Sequence, residues 1–193
     1  NTGVKNNNSD NINLGFKASS LDEDIEVSKL PTAGSNINIG SYAGNKSNDT
    51  NYAVNIGVGA GLNSMSDGNV LLGYSAGADI VGTNSNFNVV LGYKTGLNTN
   101  GSENIIIGKE TGSSRVNDLF SSNILIGNGT GKNLNAGSDG GNQKDCSNNI
   151  FIGNQISTDT NKILGNDNIL IGTQSGSEIG KSTEEGPDAP HSN

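Results

Sequence analysis

The sequence predicts an all-β fold, a parallel β-solenoid of about nine coils in which copies associate lengthwise. Three observations favour it. Asn and Gly are abundant, at 33 and 29 of 193 residues, and both are poor residues for helix interiors. Only 31% of the chain is hydrophobic and 4% aromatic, with no Trp, so there is little to fill a compact core. The apolar residues nevertheless fall in tight clusters and only 16% of the chain is charged, which favours a repetitive β fold over disorder.

The clusters define a repeat. Each is a short apolar run that ends in a glycine, called the strand Gly below: Gly15, Gly40, Gly57, Gly73, Gly92, Gly108, Gly127, Gly153 and Gly172. Successive strand glycines are 25, 17, 16, 19, 16, 19, 26 and 19 residues apart. This period is too short for a repeated pair of helices and fits one solenoid coil: a strand, a Gly turn, a short second strand and a polar return loop.

Asparagine begins eight of the nine clusters, four positions before the strand Gly. Asn side chains hydrogen-bond neighbouring backbone, so stacked coils are expected to place them in a ladder. A second Gly follows the strand Gly by four positions in seven repeats, usually after Ala, Thr or Ser, and is expected to form a tight corner.

The faces of the strand predict an interface. Side chains alternate between faces along a strand, and the residues three and one before the strand Gly are apolar in every repeat, so we expect them to fill the coil. The residue between them is then predicted to point outward. In the last six repeats it is apolar, and it forms a predicted interface between copies in a trimer: Leu71, Val90, Ile106, Leu125, Phe151 and Leu170. The alternative is a monomer that offers this stripe to another partner.

The same middle position is polar in the first three repeats, where it is Asn13, Asn38 and Asn55. This switch predicts a hydrated axis, or amides that bind an anion, at the N-terminal end of the assembly.

These residues resemble the YadA-like head of trimeric autotransporter adhesins, whose repeats carry an Asn/Ser-x-(Val/Ala)-x-Ile-Gly strand followed by a small-residue turn. The resemblance covers about residues 11–176. It implies a left-handed parallel β-roll, three chains wound side by side, and display on the bacterial cell surface to bind a host matrix protein, receptor or glycan. The form Gly-Tyr-x-(Ala/Thr)-Gly, at residues 73–77 and 92–96, is also similar to repeats in phage and large-virus fibre proteins. The alternative is therefore a virion fibre that acts as a spacer or receptor-binding tip.

Composition and motifs argue against other classes. The net charge of −8, with 11 scattered Lys and Arg, disfavours nucleic acid and anionic membranes, and no apolar run is long enough to insert into a bilayer. A catalytic constellation is lacking, since the one histidine, His191, lies in a polar C-terminal run and the carboxylates share no repeat position. We expect no enzyme activity, no metal and no cofactor.

Binding is expected in surface loops positioned by the solenoid. Sequence length varies most at residues 20–35 and 132–148, and an apolar pair interrupts a third, shorter loop. The candidate ligand-binding residues are Asp22, Glu23, Asp24, Leu119, Phe120, Asn142 and Lys144. The acidic run is interpreted as a solvated loop, with a weak Ca²⁺ site as the alternative.

The single cysteine, Cys146, excludes an intrachain disulfide and is interpreted as an incidental free thiol in a polar run. The predicted organisation is an N-terminal extension at residues 1–10, a β-roll head domain of nine repeats at residues 11–180, and a flexible tail at residues 181–193.

Overall fold

The structure, a computed structural model, describes residues 10–20, 34–47, 50–80, 85–113, 120–132, 146–156 and 166–176. Within these ranges it is a parallel β-solenoid without helices, which confirms the predicted all-β class. Nine parallel strands form one sheet in chain order: β1 (Ile12–Leu14), β2 (Ile37–Ile39), β3 (Val54–Ile56), β4 (Val70–Leu72), β5 (Val89–Tyr93), β6 (Ile105–Lys109), β7 (Ile124–Asn128), β8 (Ile150–Asn154) and β9 (Ile169–Ile171).

The strands stack in the register that the repeat predicts. Each apolar cluster pairs with the equivalent cluster of the next repeat, so that Ile105 of β6 lies beside Val89 of β5 and Ile124 of β7. The small-residue turn after the strand Gly stacks as well, since the Gly96 amide donates to the Thr111 carbonyl at 2.9 Å. Two parallel rows of backbone hydrogen bonds therefore run along the solenoid.

The strand Gly is required by close packing between repeats. Gly108 has φ +140°, and a Cβ atom at this position would lie 1.6 Å from the Gly127 carbonyl oxygen of the next repeat. The first eight strand glycines approach the next repeat in this way, and all nine have a positive φ, which explains why the glycine recurs.

The predicted inward and outward faces of the strand are reversed in the structure. The six residues predicted to form an outward trimer interface lie inside the solenoid: Leu71, Val90, Ile106, Leu125 and Phe151 are fully buried within one chain, and Leu170 packs against them. The residues three and one before the strand Gly, predicted to fill the coil, instead line the outer surface of the sheet. Because the interior position is occupied within the chain, those six residues provide no contact surface for another copy.

The core consists mainly of this middle position together with the residue three positions after the strand Gly, and Ile80, Phe120 and Cys146 pack into the same cluster. Ala60, Ala76, Thr95, Thr111 and Thr130 are fully buried at that second position. The threonine hydroxyls also bond across repeats, as when Thr111 Oγ1 donates to the Gly127 carbonyl at 2.6 Å. Each repeat thus contributes only a few side chains to the core, which explains how a chain with few hydrophobic residues folds.

The predicted asparagine ladder is confirmed. Asn104 is fully buried, its Oδ1 accepts the Asn123 backbone amide at 3.0 Å, and its Nδ2 donates to the Phe120 carbonyl at 2.8 Å and to Asn88 Oδ1 at 2.9 Å. The same pattern of bonds joins the asparagines that begin the clusters from Asn69 to Asn149. Each side chain thus holds the start of one strand to the start of the next.

Candidate functional site on the outer face of the sheet

The outer face of the sheet carries two continuous columns of apolar side chains, called the apolar columns below. They come from the residues three and one before the strand Gly: Ile12 and Leu14, Ile37 and Ile39, Val54 and Ile56, Val70 and Leu72, Val89 and Leu91, Ile105 and Ile107, Ile124 and Ile126, Ile150 and Ile152, and Ile169 and Ile171. All are half-buried or exposed. With strands about 4.8 Å apart, the columns extend for about 38 Å.

The columns form one contiguous apolar surface. They are about 38 Å long and two side chains wide and cover on the order of 400 Å², as much as the largest apolar patch on a typical monomer, and a patch of this size is often functional. No charged residue lies within the columns. The geometry suits a second apolar surface that runs parallel to the solenoid.

Aromatic side chains border the columns on the side where the strands end, called the carboxyl edge below. Tyr74 and Tyr93 directly follow the strand Gly in neighbouring repeats, and their rings stack with centroids 5.3 Å apart. Phe16 and Tyr42 form an edge-to-face pair at 5.6 Å. All four rings are exposed, so they extend the apolar surface along this edge.

The opposite border, where the chain enters each strand, is called the amino edge below. The residue just before each cluster has a left-handed backbone there, with φ between 56° and 66° in all nine repeats. Tyr52 and Phe87 take this conformation although it is unfavourable for bulky residues, and they are 71% and 64% exposed. The Phe87 ring lies over Gly68 of the preceding repeat, where a Cβ atom would come within 2.6 Å of it. The other seven repeats have small or polar residues at this position, so Tyr52 and Phe87 add apolar surface to the amino edge.

Charges are segregated between the two edges. Among the described residues, the amino edge carries the carboxylates Asp10, Asp67, Glu103 and Asp167 and no cation. The carboxyl edge carries Lys17, Lys94 and Lys109, with Lys94 Nζ 5.5 Å from the Tyr93 ring centroid.

The carboxylate at the carboxyl edge, Glu110, is paired. Lys132 Nζ donates to Glu110 Oε2 at 2.6 Å, and this hydrogen bond and the lysine charge lower the pKa of Glu110. The carboxyl edge is therefore basic in sum, although the whole chain has a net charge of −8.

Asn13, Asn38 and Asn55, the polar residues at the middle position of the first three repeats, lie inside the solenoid. They therefore do not form the predicted hydrated axis between chains. Asn38 Nδ2 donates to Asn13 Oδ1 at 2.9 Å, and Asn55 Nδ2 donates to Asn38 Oδ1 at 2.8 Å. Asn38 and Asn55 are buried, and Asn55 Oδ1 accepts no hydrogen bond from the described residues. The amides form a hydrogen-bonded column that replaces the apolar core in the first three repeats.

Most of the predicted ligand-binding residues lie in loops that the structure does not describe. Asp22, Glu23, Asp24, Leu119, Asn142 and Lys144 lie outside the described residues. Phe120 is described, and its prediction as a surface binding residue is wrong: it is buried in the core, and its carbonyl accepts from Asn104. Phe120 belongs to the same core cluster as Ile106 and Leu125.

Cys146 lies in a polar run of the sequence, and its side chain is buried in the core cluster. Its Sγ atom lies 3.5 Å from Asn149 Nδ2.

Within the described ranges, no three His, Cys, Asp or Glu side chains converge as metal ligands would, and no helix is long and apolar enough to cross a bilayer. Comparisons with protein families, with curated proteins and with solved structures find no match to this chain.

Proposed function

We propose that this chain is the head of a homotrimeric surface adhesin: a left-handed β-roll of nine coils in which three chains lie side by side. It is displayed outside the cell, on the bacterial surface, where it holds a host matrix protein, receptor or glycan. The observation that carries the proposal is the pair of apolar columns, unbroken over nine repeats on one face.

A closed trimer explains the columns physically. If the sheet of each chain faces a common axis, the apolar columns of three chains cover one another and leave water. The columns alone cover about half of the roughly 800 Å² that each partner contributes to a stable interface, so the aromatic edges beside them also belong to the contact. The proposed place for a ligand is the pair of long loops at residues 21–33 and 133–145, which lie outside the described residues.

The assembly is tested by solution mass together with two matched substitutions in neighbouring residues. Light scattering is expected to give about three times the 19.7 kDa of one chain. The double change Ile105→Asp and Ile107→Asp places charges on the outer face and is expected to give a folded monomer, because an unpaired charge cannot be buried between chains. Ile106→Asp, one residue away but inside the coil, is expected to unfold the chain.

The control Asn98→Lys adds a charge to an exposed side chain outside the columns and both edges, at the position that Lys46 occupies in an earlier repeat, and it is expected to leave both mass and fold unchanged. A clean monomer for the unmodified chain would refute the trimer. Retention of the trimer in the double variant would exclude the apolar columns as its interface.

Adhesion is tested separately, with the intact trimer. It is expected to attach to cultured cells, or to an array of matrix proteins and glycans. Replacement of residues 133–145 or 21–33 by short Gly-Ser linkers is expected to reduce attachment without changing the melting temperature. A trimer that binds none of these surfaces would favour the structural fibre over the adhesin.

A further inference from the structure

The two edges of the sheet match each other at seven of the nine strands; the exceptions are β1, with Asp10 and Phe16, and β4, with Gly68 and Tyr74. Each strand has one residue at the amino edge, just before its cluster, and one at the carboxyl edge, just after its strand Gly. The pairs at the ends of β3 to β8 are Tyr52 and Val58, Gly68 and Tyr74, Phe87 and Tyr93, Glu103 and Lys109, Ser122 and Asn128, and Asn148 and Asn154. Apolar residues face apolar residues at β3 and β5, opposite charges occur at β6, and polar residues face polar residues at β7 and β8.

The members of a pair cannot meet within one chain. Glu103 and Lys109 lie at opposite ends of β6, six residues apart along an extended strand, which separates them by about 20 Å. Phe87 and Tyr93 flank β5 in the same way. The match therefore has a physical use only if the amino edge of one chain meets the carboxyl edge of another.

We propose that neighbouring copies in the trimer join through unlike edges, carboxyl edge against amino edge, with parallel chains and with strands of the same number at the same height. This inference rests on the proposed trimer and specifies its geometry. A contact between unlike surfaces generates a ring of three chains when each contact rotates the next chain by one third of a turn, as three-fold symmetry requires. Glu103 of each copy then lies beside Lys109 of the next, and the exposed rings of Phe87 and Tyr93 cover each other.

Other arrangements lose these contacts. A contact between like edges brings Glu103 beside Glu103 and Lys109 beside Lys109, which is repulsive. A slip by one repeat brings Glu103 beside Tyr93 or Asn128. The charges thus select partner edge and height, whereas the apolar columns supply most of the burial.

The geometry is tested by disulfide crosslinking of the full chain with Cys146→Ala, so that only the introduced thiols react. The double variant Glu103→Cys and Lys109→Cys cannot form an intrachain disulfide across 20 Å, since bonded cysteines have Cα atoms within about 7 Å. Oxidation is expected to give a covalent ring of three chains on a non-reducing gel. Each single-cysteine variant is the matched control and is expected to stay uncrosslinked.

An equimolar mixture of the two single-cysteine chains, refolded together, is expected to give crosslinked dimers. Dimers from Glu103→Cys alone would show contact between like edges and overturn the inference while the trimer stands. A trimer that crosslinks in none of the variants would overturn it too. A chain that is monomeric before oxidation would overturn the inference and the proposed function together.

Charge reversal gives an independent measure. Glu103→Lys or Lys109→Glu alone is expected to lower the trimer association constant about tenfold, because three exposed pairs change at once. Both changes in one chain are expected to restore most of it. Additive losses in the double variant would contradict the pairing.

Discussion

Removal of one side chain from the asparagine ladder tests whether these buried amides hold the repeats together. In Asn104→Ala the Asn123 backbone amide loses its acceptor at 3.0 Å, and the Phe120 carbonyl loses its donor at 2.8 Å. Both groups stay buried without a partner, and each costs about 1–3 kcal/mol. The expected loss in the free energy of unfolding is therefore about 4 kcal/mol, a large share of the 5–15 kcal/mol typical of a folded domain.

Urea denaturation followed by circular dichroism, at one fixed protein concentration, measures this loss. The matched control is Asn128→Ala, which removes the same side chain from an exposed position at the end of β7 and is expected to cost less than about 0.5 kcal/mol. Hydrogen exchange adds a local readout, because the Asn123 amide is expected to lose its protection only in Asn104→Ala. Equal stability losses in the two variants would refute the ladder as a source of stability.

Three further predictions concern the strand Gly, the exposed ion pair and the thiol. Gly108→Ala is expected to prevent folding, because its Cβ would overlap the Gly127 carbonyl. The control Gly129→Ala has φ +63° and its nearest neighbour at 3.9 Å, and it is expected to lower the free energy of unfolding by about 1 kcal/mol in urea denaturation. Similar losses in the two variants would contradict the close packing between repeats. Lys132→Met is expected to raise the pKa of Glu110 toward its ordinary value in a carbon NMR titration. Since that pKa is lowered by folding, the pair stabilises the chain above the pH at which Glu ionises when unfolded, and this contribution disappears as pH falls through the folded pKa. An unchanged Glu110 titration would show that the pair does not form in solution. Cys146 is 2% exposed and is expected to react with a thiol reagent only as fast as the chain opens, so rapid labelling of the native protein would contradict its burial.

The repeat itself could be predicted from the sequence with some accuracy. The nine strand glycines, the head asparagines and the small-residue turns recur at fixed offsets, and short offsets determine which groups align when repeats stack in parallel. The ladder from Asn69 to Asn149 followed from the same reasoning. The trimer remains a prediction.

The apolar residues alone do not determine which face of the strand lies inside the solenoid. Ile105, Ile106 and Ile107 are chemically equivalent, so alternation predicts two faces without stating which one lies inside. A signal was present, however. Asn104 and Ile106 are two residues apart and share a face, so an asparagine that bonds inside the stack requires Ile106 to lie inside too. The polar residues Asn38 and Asn55 at the middle position favour an exposed face there, and this is the physical reason for the reversed prediction.

The sequence by itself determined the periodicity, the parallel stacking and the positions that must be glycine or asparagine, because these depend on backbone geometry within one repeat and its neighbour. Tertiary structure decided which side chains face water. Burial at each strand depends on the stacked turn after the strand Gly, where Ala76 or Thr111 supplies the other half of the core. Only when the coil is closed do the outer columns and their two unlike edges become a surface.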